Sequence, residues 1–513
     1  MKIPIHLTLG SLLLAGMNLS AATLYVSPAS PNPQSPYPSW TTAATNIQDA
    51  VSSAEAGDFI VVTDGVYSGG VTVSNPVTLL SVNGANSTVI NGGGPCISLT
   101  NDASMIGFTV TGGRNFNVGG GVFCSSSSAV LINCVIINNL SIFGAAGVQG
   151  GTLNNCAIID NDGDDAGIGG ASGSTLNNCT ITGNVGDSAG GAAGCTLSYC
   201  TLSGNGSPNN GGGAMYCTLN NCIITSNSCG MMGGGAYVCT LNNCLVCDNV
   251  AAVGGGACSS SLTNCTLTGN SAGGYSEFST SGGGTYYCTL NNCISYFNIA
   301  PAGYSTNYDT NSILTYCCTI PLPAGGIGNL TNNPLFVNSA NGNFQLQSNS
   351  PCVNAGNNAY VDSTFDLEGN PRIVGGTVDI GACEYQAPTS VISYAYLQQY
   401  GLPADGSVDY ADLDGTGFNV YQDWVASLIP TNPASVLAMF PPATTNNLAG
   451  IIVRWKSVNG VQYLLQRSTN LLAQPVFPVI QENIHGQAGT TSYQDASATN
   501  HTPYYYRVGV VAP

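Results

Sequence analysis

Residues 217–224 read CTLNNCII and residues 239–246 read CTLNNCLV, so one motif recurs after 22 positions. A leucine three places before the second cysteine of this motif, and an asparagine five places after it, recur through the middle of the chain. The column of recurring cysteines consists of Cys134, Cys156, Cys179, Cys200, Cys222, Cys244, Cys265, Cys293 and Cys317. Consecutive members lie 21 to 24 residues apart, except for one interval of 28. A motif with this period predicts a solenoid of stacked turns.

The residues around each cysteine indicate short strands rather than helices. An aliphatic residue two places after the cysteine shares one face of a strand with it. The Asn-Asn pairs suit left-handed corners, and the glycine triplets such as Gly211–Gly213 mark another corner. We therefore predict an all-β fold, a parallel β-helix with three short strands and three corners in about 22 residues per turn.

Stacking turns at ~4.8 Å would convert each sequence column into a ladder. The asparagine column runs Asn139, Asn161, Asn184, Asn205, Asn227, Asn249, Asn270 and Asn298. An internal ladder of amides satisfies polar groups that would otherwise be costly to bury.

The 21 cysteines would ordinarily indicate a disulfide framework in an exported chain. A second column, formed by Cys195, Cys217, Cys239 and Cys288, lies five residues before the first. Stacked cysteines with Cβ atoms ~4.8 Å apart exceed the ~3.8 Å mean of a disulfide. We predict mostly free thiols that fill the core as small apolar groups, and columns along a core do not converge on a metal ion.

Length and charge limit the classes of function. A chain of 513 residues suggests two to four domains, and 7 Lys or Arg against 25 Asp or Glu give a formal charge of −18. This charge excludes a nucleic-acid partner and an anionic membrane surface. Residues 1–22 have the pattern of a cleaved secretory leader, and no later apolar run is long enough to cross a bilayer. We expect a secreted or cell-surface protein that does not span a membrane.

Motifs at both ends of the repeat region resemble a known family. The start carries Leu24–Pro28 and Ile47–Val51, and the end carries Asn333–Phe336, Gly369–Ile373 and Val378–Gly381. Residues 23–385 resemble the right-handed parallel β-helix proteins of the pectin-lyase-like superfamily, with a closing segment similar to that of choice-of-anchor Q proteins. The resemblance implies a three-sheet right-handed β-helix over residues 23–388, and it indicates architecture rather than a reaction.

After Tyr385 the chain contains no further cysteine, which indicates a domain boundary. A calcium loop is predicted within residues 389–440. Asp412, Asp414, Thr416 and Asp423 stand at loop positions one, three, five and twelve, with Gly at six and the Phe418 carbonyl at seven. The segment resembles dockerin-like or EF-hand-like calcium segments, although Thr at position five and Asp at position twelve depart from the strongest pattern. A metal-free turn rich in Asp and Gly is the alternative.

Residues 441–513 read as alternating strands separated by turns. This region resembles a fibronectin type III-like β-sandwich.

The distribution of charged residues bears on catalysis. No Lys, Arg or His lies between Arg114 and Arg372, whereas a uronate lyase needs a cation and a basic residue. Hydrolysis of neutral sugars needs only two carboxylates. Asp164 and Asp187 each follow a column cysteine by eight residues on adjacent turns, which would place their carboxyls within about 5 Å. They are the candidate catalytic pair, and a solvated or calcium-binding acidic loop is the alternative.

The 28-residue interval between Cys265 and Cys293 contains an insertion with Tyr275, Glu277 and Phe278. Insertions in solenoids often shape a binding surface, and aromatic side chains can stack on sugar rings. These residues form the candidate carbohydrate-binding loop, and an inert loop is the alternative.

The sequence thus favours a surface or secreted β-helix that binds polysaccharide or acts as an adhesin, with calcium near its carboxyl-terminal module. The alternatives are a polysaccharide-degrading enzyme, more readily a glycoside hydrolase than a lyase, and an architectural protein with a protein partner.

Overall fold

The structure is a computed structural model that describes residues 21–100, 102–273, 282–303, 305–444, 450–471, 477–499 and 503–510. Within these residues, the chain forms a parallel solenoid that ends at Thr319, a closing segment with little regular structure over residues 320–388, two short helices and an antiparallel sandwich. The predicted leader over residues 1–22 falls almost entirely outside the described residues.

Two of the four solenoid sheets contain most of the three- and four-residue strands. Sheet A has 13 strands: Thr23–Val26, Phe59–Val62, Thr78–Ser81, Ser104–Ile106, Val130–Ile132, Thr152–Asn154, Thr175–Asn177, Thr196–Ser198, Thr218–Asn220, Thr240–Asn242, Ser261–Thr263, Thr289–Asn291 and Ile313–Thr315. Sheet B has 12 strands: Gly65–Ser68, Thr88–Asn91, Thr109–Thr111, Val135–Ile137, Ala157–Ile159, Thr180–Thr182, Thr201–Ser203, Ile223–Thr225, Leu245–Cys247, Thr266–Thr268, Ile294–Tyr296 and Cys318–Thr319.

The other two sheets have mainly two-residue strands. Sheet C has 10 strands: Val71–Val73, Ile97–Leu99, Val122–Cys124, Val148–Gln149, Ala171–Ser172, Ala192–Ala193, Ala214–Met215, Ala236–Tyr237, Ala257–Cys258 and Thr285–Tyr286. Sheet D has 8 strands: Arg114–Asn115, Leu140–Ser141, Asp162–Gly163, Val185–Gly186, Gly206–Ser207, Ser228–Cys229, Val250–Ala251 and Ser271–Ala272. A central turn passes through sheets A, B, D and C in that order.

The prediction of an all-β parallel solenoid with about 22 residues per turn is confirmed. The three predicted strands per turn are present, and the central turns add a fourth, the short strand of sheet D. This strand forms because the chain bends twice between sheets B and C, first at the asparagine ladder and again at the glycine-rich corner.

The predicted columns lie in register along the solenoid. Leu219 pairs with Leu241, and Ile224 pairs with Val246 on the next turn. All of these side chains are fully buried, so aliphatic ladders form the core between the sheets.

The asparagine column forms a continuous hydrogen-bonded ladder. The Oδ1 atom of Asn205 accepts from the backbone N–H and from Nδ2 of Asn184, both at 3.0 Å. Its own Nδ2 donates to Oδ1 of Asn227 at 2.9 Å and to the Ile181 carbonyl at 2.9 Å. The pattern continues across the 28-residue interval, where Nδ2 of Asn270 donates to Oδ1 of Asn298 at 2.9 Å. The ladder then ends on Asn307, which the sequence period did not reveal.

The cysteine columns do more than fill space. All 21 cysteines are free thiols in the structure. Sγ of Cys293 accepts the backbone N–H of Cys265 at 3.4 Å, and Sγ of Cys265 donates to the Thr263 carbonyl at 3.2 Å. In the second column, serines replace cysteine in the same role, as where Cys239 N–H donates to Oγ of Ser260 at 3.0 Å. The prediction of a purely apolar filler is therefore incomplete, because each thiol also satisfies corner backbone groups.

Two kinds of corner explain the repeated Asn and Gly residues. The second Asn of each pair is left-handed, with φ of 53° at Asn221 and 51° at Asn243. At the glycine-rich corner the turns nearly touch, because a Cβ on Gly213 would lie 2.6 Å from the carbonyl oxygen of Gly235. A side chain there would separate the stacked turns.

Both ends of the solenoid are covered. Helix α1 (Ile47–Ser53) buries Ile47, Ala50 and Val51 against the first turns, and Oδ1 of Asn46 caps its N-terminus by accepting from the Asp49 N–H. At the other end Leu330 bridges to Cys318 beyond the last strands, and the closing segment packs along outward residues of the last turns such as Ile294. The closing segment contains one antiparallel pair, Phe336–Asn338 with Asn343–Leu346. Its 3₁₀ turns span Ser339–Asn341 and Asn358–Tyr360, and another lies at Trp40–Thr42 near α1.

A buried charged cluster holds the closing segment together. Arg372 is 1% exposed, and its Nη2 donates to the carbonyls of Asp379 and Gly381 at 3.0 and 2.6 Å. Its Nη1 lies 3.9 Å from Oε2 of Glu384. Burial raises the pKa of Asp379 to about 7 and that of Glu384 to about 9. The carboxylates also accept backbone N–H groups, as Asp366 does from Asn370 and Glu384.

Two short helices and a sandwich follow the closing segment. Helix α2 spans Tyr394–Gln399 and helix α3 spans Val420–Val425. The sandwich has two three-stranded antiparallel sheets around Val453, Trp455, Tyr463 and Leu465. One sheet contains Met439–Thr444, Ile451–Ser457 and Gly489–Asp495, and the other contains Val479–His485, Gln462–Ser468 and Tyr505–Val510.

Candidate functional site

The two candidate catalytic residues stand at equivalent backbone positions on adjacent turns. Asp164 and Asp187 directly follow the paired strands Asp162–Gly163 and Val185–Gly186 of sheet D. The Asp187 N–H donates to the Gly163 carbonyl at 3.1 Å, which fixes this alignment. Oδ1 of Asp164 accepts from the Asp165 N–H at 2.9 Å, and Oδ1 of Asp187 accepts from Nδ2 of Asn209 at 3.2 Å. The two residues thus occupy equivalent positions on adjacent turns, while the 5 Å approach of their carboxyls and their role in catalysis stay predictions.

The insertion with Tyr275, Glu277 and Phe278 lies outside the described residues. The turn that carries it keeps its register, because Ser271–Ala272 still pairs with Val250–Ala251 and Thr285–Tyr286 still pairs with Ala257–Cys258. The carbohydrate-binding role of this loop therefore stays a prediction.

The candidate calcium loop has two carboxylates with unused oxygen atoms. Asp412 accepts backbone N–H groups from Gly415 at 2.8 Å and from Gly417 at 2.9 Å. Asp423, on α3, is buried, and neither of its oxygens has a hydrogen-bond partner among the described residues, nor does Oδ2 of Asp414. Burial and the charges of Asp414 and Asp412 raise the pKa of Asp423 to about 6.

Uncompensated carboxylate oxygens of this kind suit a hard cation with oxygen ligands. Thr416 and the carbonyl of Phe418 would complete the donor set that the spacing predicts. Across the described ranges, no three His, Cys, Asp or Glu side chains converge in a ligand arrangement, so calcium binding at this loop stays a prediction.

An exposed group of tyrosines on sheet C forms a site that the sequence analysis did not identify as one. We call Tyr216, Tyr237, Tyr286 and Tyr287 the aromatic strip. Met215, Tyr237, Cys258 and Tyr286 follow one another on successive turns as the outward residues of sheet C. The ring centroids of Tyr216 and Tyr237 lie 6.1 Å apart, and those of Tyr286 and Tyr287 lie 4.7 Å apart. Tyr216 is 57% exposed and Tyr287 is 54% exposed.

The backbone of the aromatic strip is strained. Tyr216 and Tyr287 have φ of 55° and 53°, and Val238 between them has φ of 52°. Earlier turns place Gly173 and Gly194 at this corner. A left-handed conformation costs a residue with a side chain about 1–2 kcal/mol, and exposure means that core packing does not offset this cost. Tyr216 and Tyr287 stand three turns apart at this corner, with Val238 and Ser259 between them, and each has a second tyrosine ring beside it, so together they form an exposed aromatic surface.

The surroundings of the strip favour an uncharged ligand. The solenoid sequence supplies no cation between Arg114 and Arg372. The nearest acid in the hydrogen-bond network, Asp309, is buried and accepts from the Tyr287 N–H at 2.9 Å and from the Ser312 hydroxyl. The Asp309 oxygens are therefore occupied within the protein.

Comparison with solved structures finds proteins with a similar fold. The pectate lyase Pel9A has 14% identity and a TM-score of 0.41, and the match covers 72% of this chain and 97% of that one. XylC in complex with xylose has 9% identity and a TM-score of 0.41, with 70% and 98% coverage. The polygalacturonase from Erwinia carotovora ssp. carotovora has 12% identity and a TM-score of 0.30, with 59% and 97% coverage. No protein-family model and no curated protein matches the chain.

These likenesses concern the fold alone, and the pairing of the strands defines that fold directly as a parallel β-helix. None of the helices in the described part of the chain has the length and apolar character needed to cross a bilayer.

Proposed function

We propose that the protein is a secreted or cell-surface β-helix that binds neutral polysaccharide through the aromatic strip. The observation that carries the proposal is the exposure of Tyr216 and Tyr287 on left-handed corners that glycine occupies on earlier turns. Aromatic rings offer flat apolar faces together with a hydroxyl, which suits sugar rings. The leader pattern of residues 1–22 supports export, and the absence of Lys, Arg and His between Arg114 and Arg372 favours neutral over acidic glycans.

Tyr216→Gly should weaken polysaccharide binding without lowering the stability of the fold. Glycine adopts the left-handed corner without strain, so we expect the stability to stay the same or to rise by up to about 1 kcal/mol. Loss of one stacking ring should weaken polysaccharide binding about tenfold. Affinity gel electrophoresis with xylan, mannan, galactan and hydroxyethyl cellulose measures the binding, and polygalacturonate is the charged comparator.

Tyr199→Gly is the matched control. Tyr199 has φ of 55° and is 54% exposed, but it lies at the corner between sheets A and B. We expect unchanged binding for this variant. Failure of the wild type to bind any neutral polysaccharide, or equal loss in both variants, would contradict the proposal.

The stacking of Asp164 and Asp187 on adjacent turns supports a second candidate, a glycoside hydrolase in which the two carboxylates act together. Release of reducing ends that disappears in the double variant Asp164→Asn, Asp187→Asn would favour hydrolysis. Binding without release in the wild type would favour the first proposal.

We also propose that residues 412–423 bind calcium, with Asp412, Asp414, Thr416, the Phe418 carbonyl and Asp423 as ligands. The support is the loop spacing together with the unpaired oxygens of Asp414 and Asp423. Calcium should raise the melting temperature, because a ligand at 100 times its Kd stabilises the folded state by about 2.7 kcal/mol. EDTA should reverse this increase.

Asp423→Asn should weaken calcium binding at least tenfold in isothermal titration calorimetry, since it removes a charged ligand. Asp405→Asn is the control, because Asp405 is an exposed acid of the same segment that accepts from Ser407 instead. Absence of both a heat signal and a melting shift at millimolar calcium would overturn the calcium proposal.

A further inference from the structure

A cleft of about 1160 Å³ lies where the end of the solenoid, the closing segment, the two short helices and the sandwich meet. Tyr316 follows the last strand of sheet A, and Tyr360 ends a 3₁₀ turn of the closing segment. Tyr400 follows α2, Trp424 belongs to α3, and Gln462 begins a sandwich strand. The sandwich approaches the closing segment closely, since a Cβ on Gly460 would lie 3.0 Å from Cγ2 of Ile327.

The wall of the cleft is aromatic and amide-rich. The rings of Tyr316 and Tyr360 have centroids 6.5 Å apart, and those of Tyr396 and Tyr400 have centroids 5.0 Å apart. Tyr316, Tyr360, Tyr396, Tyr400 and Trp424 are all half-buried, so each ring keeps part of its surface accessible. Burial raises the pKa of Tyr316 and of Tyr400, which keeps these phenols neutral.

Two amide groups of the cleft have unused acceptors. Asn354 is fully buried, and its Nδ2 donates to the Ser390 carbonyl at 2.7 Å, but its Oδ1 has no partner among the described residues. Nε2 of Gln462 lies 2.9 Å from Nδ1 of His485, and its Oε1 is buried without a partner in the same part of the chain. Both oxygens are shielded from solvent, so the amide groups open to a ligand hydroxyl are those of the exposed lining residues Asn332, Gln398 and Gln399.

No Asp, Glu, Lys, Arg or His is among the described residues that line the cleft. A ligand recognised through its charge, such as a uronate, a phosphate or a charged peptide, would therefore lack a counter-charge there. The volume exceeds the ~300–1,000 Å³ typical of sites for drug-sized ligands, which leaves room for several sugar rings.

We infer that this junction cleft is a second carbohydrate site, which binds a short segment of a neutral glycan between aromatic faces and amide groups. The choice of ligand class rests on the proposed function, but the site is separate from the aromatic strip. The strip would hold the surface of a long chain, whereas the cleft would enclose a few sugar units.

Intrinsic fluorescence provides the test on the full chain. The three tryptophans are Trp40 at the amino-terminal cap, Trp424 in the cleft and Trp455 in the sandwich core. Titration with cellotetraose, xylotetraose, mannotetraose and galactotetraose should give a saturable change with at least one of them. Trp424→Phe should abolish that change, while calorimetry should still detect binding.

Tyr400→Ala should weaken the same tetrasaccharide about tenfold, because it removes one ring of the cleft. Tyr410→Ala is the matched control, because Tyr410 belongs to the same segment but is 71% exposed and does not line the cleft. Tyr216→Gly should leave tetrasaccharide binding unchanged. Tetrasaccharide binding without polysaccharide binding would therefore contradict only the proposed function of the strip.

Saturation by none of the neutral tetrasaccharides would overturn the inference. Tighter binding of tetragalacturonate or of an uncharged peptide would also overturn it, since either result would assign the cleft to another class of ligand.

Discussion

Replacing Arg372 by methionine should lower the free energy of unfolding of the closing segment by about 3–5 kcal/mol. Methionine fills a similar volume, but the carbonyls of Asp379 and Gly381 lose the Nη2 donor. The carboxyls of Asp379 and Glu384 also lose their buried cation. Native-state hydrogen exchange of residues 352–385 measures the loss directly, because it reports local opening.

The penalty of Arg372→Met should grow with pH. Both carboxyls have a folded-state pKa raised above the unfolded value, so the folded state holds their protons more tightly. Stability of the wild type should therefore fall as pH rises from about 4 through 7 for Asp379 and on to about 9 for Glu384. Without the guanidinium, the ionised carboxylates of Asp379 and Glu384 have no buried cation beside them. The difference in free energy of unfolding between wild type and variant should therefore be larger at pH 9 than at pH 6.

Two variants make this prediction specific. Arg372→Met combined with Glu384→Gln should recover part of the loss, because the neutral amide leaves one less buried charge without a cation. Arg114 lies in a solenoid strand and its side chain is exposed. Arg114→Met should therefore change the free energy of unfolding by less than about 0.5 kcal/mol. Equal losses for Arg372→Met and Arg114→Met would show that the buried cluster does not hold the closing segment.

Asn205→Ala should destabilise the solenoid by about 3 kcal/mol, because the ladder loses a member that is hydrogen-bonded on both sides. The buried N–H of Asn184 loses its acceptor, and the Ile181 carbonyl loses the Nδ2 donor. Guanidinium unfolding followed by far-ultraviolet circular dichroism measures the change.

Ser203→Ala is the control for the ladder. Ser203 lies two residues earlier, and its hydroxyl donates to Thr182 at 3.1 Å on the partly exposed face of sheet B. We expect a change below about 0.5 kcal/mol. If Asn205→Ala is as mild as this control, the internal amides contribute little and the aliphatic core alone stabilises the stack.

The sequence was informative wherever one position repeats with one chemical role. The columns that contain Leu219, Cys222 and Asn227 predicted the core, the corner and the ladder, because stacked turns place identical residues in identical surroundings. The short strand of sheet D escaped prediction because Gly206–Ser207 and Ser228–Cys229 show no alternation of apolar and polar residues.

The candidate sites were less predictable because they interrupt the repeat. The strain at Tyr216 and Tyr287 could have been noticed, since both stand where Gly173 and Gly194 stand on earlier turns. The junction cleft was not accessible to sequence reasoning. Tyr316, Tyr400 and Gln462 are far apart along the chain and belong to segments with different patterns.

The asparagine ladder crosses the 28-residue interval with the same 2.9 Å contact that it makes between turns of ordinary length. The flanking strands of sheets D and C therefore keep their register on either side of the extra sequence. The corner between these two sheets is a natural grafting point: foreign peptides or whole recognition loops inserted there should be displayed while the coil beneath keeps its alignment. Exchange of loops at this one corner would change the ligands that such a chain binds while the stacked strands stay the same.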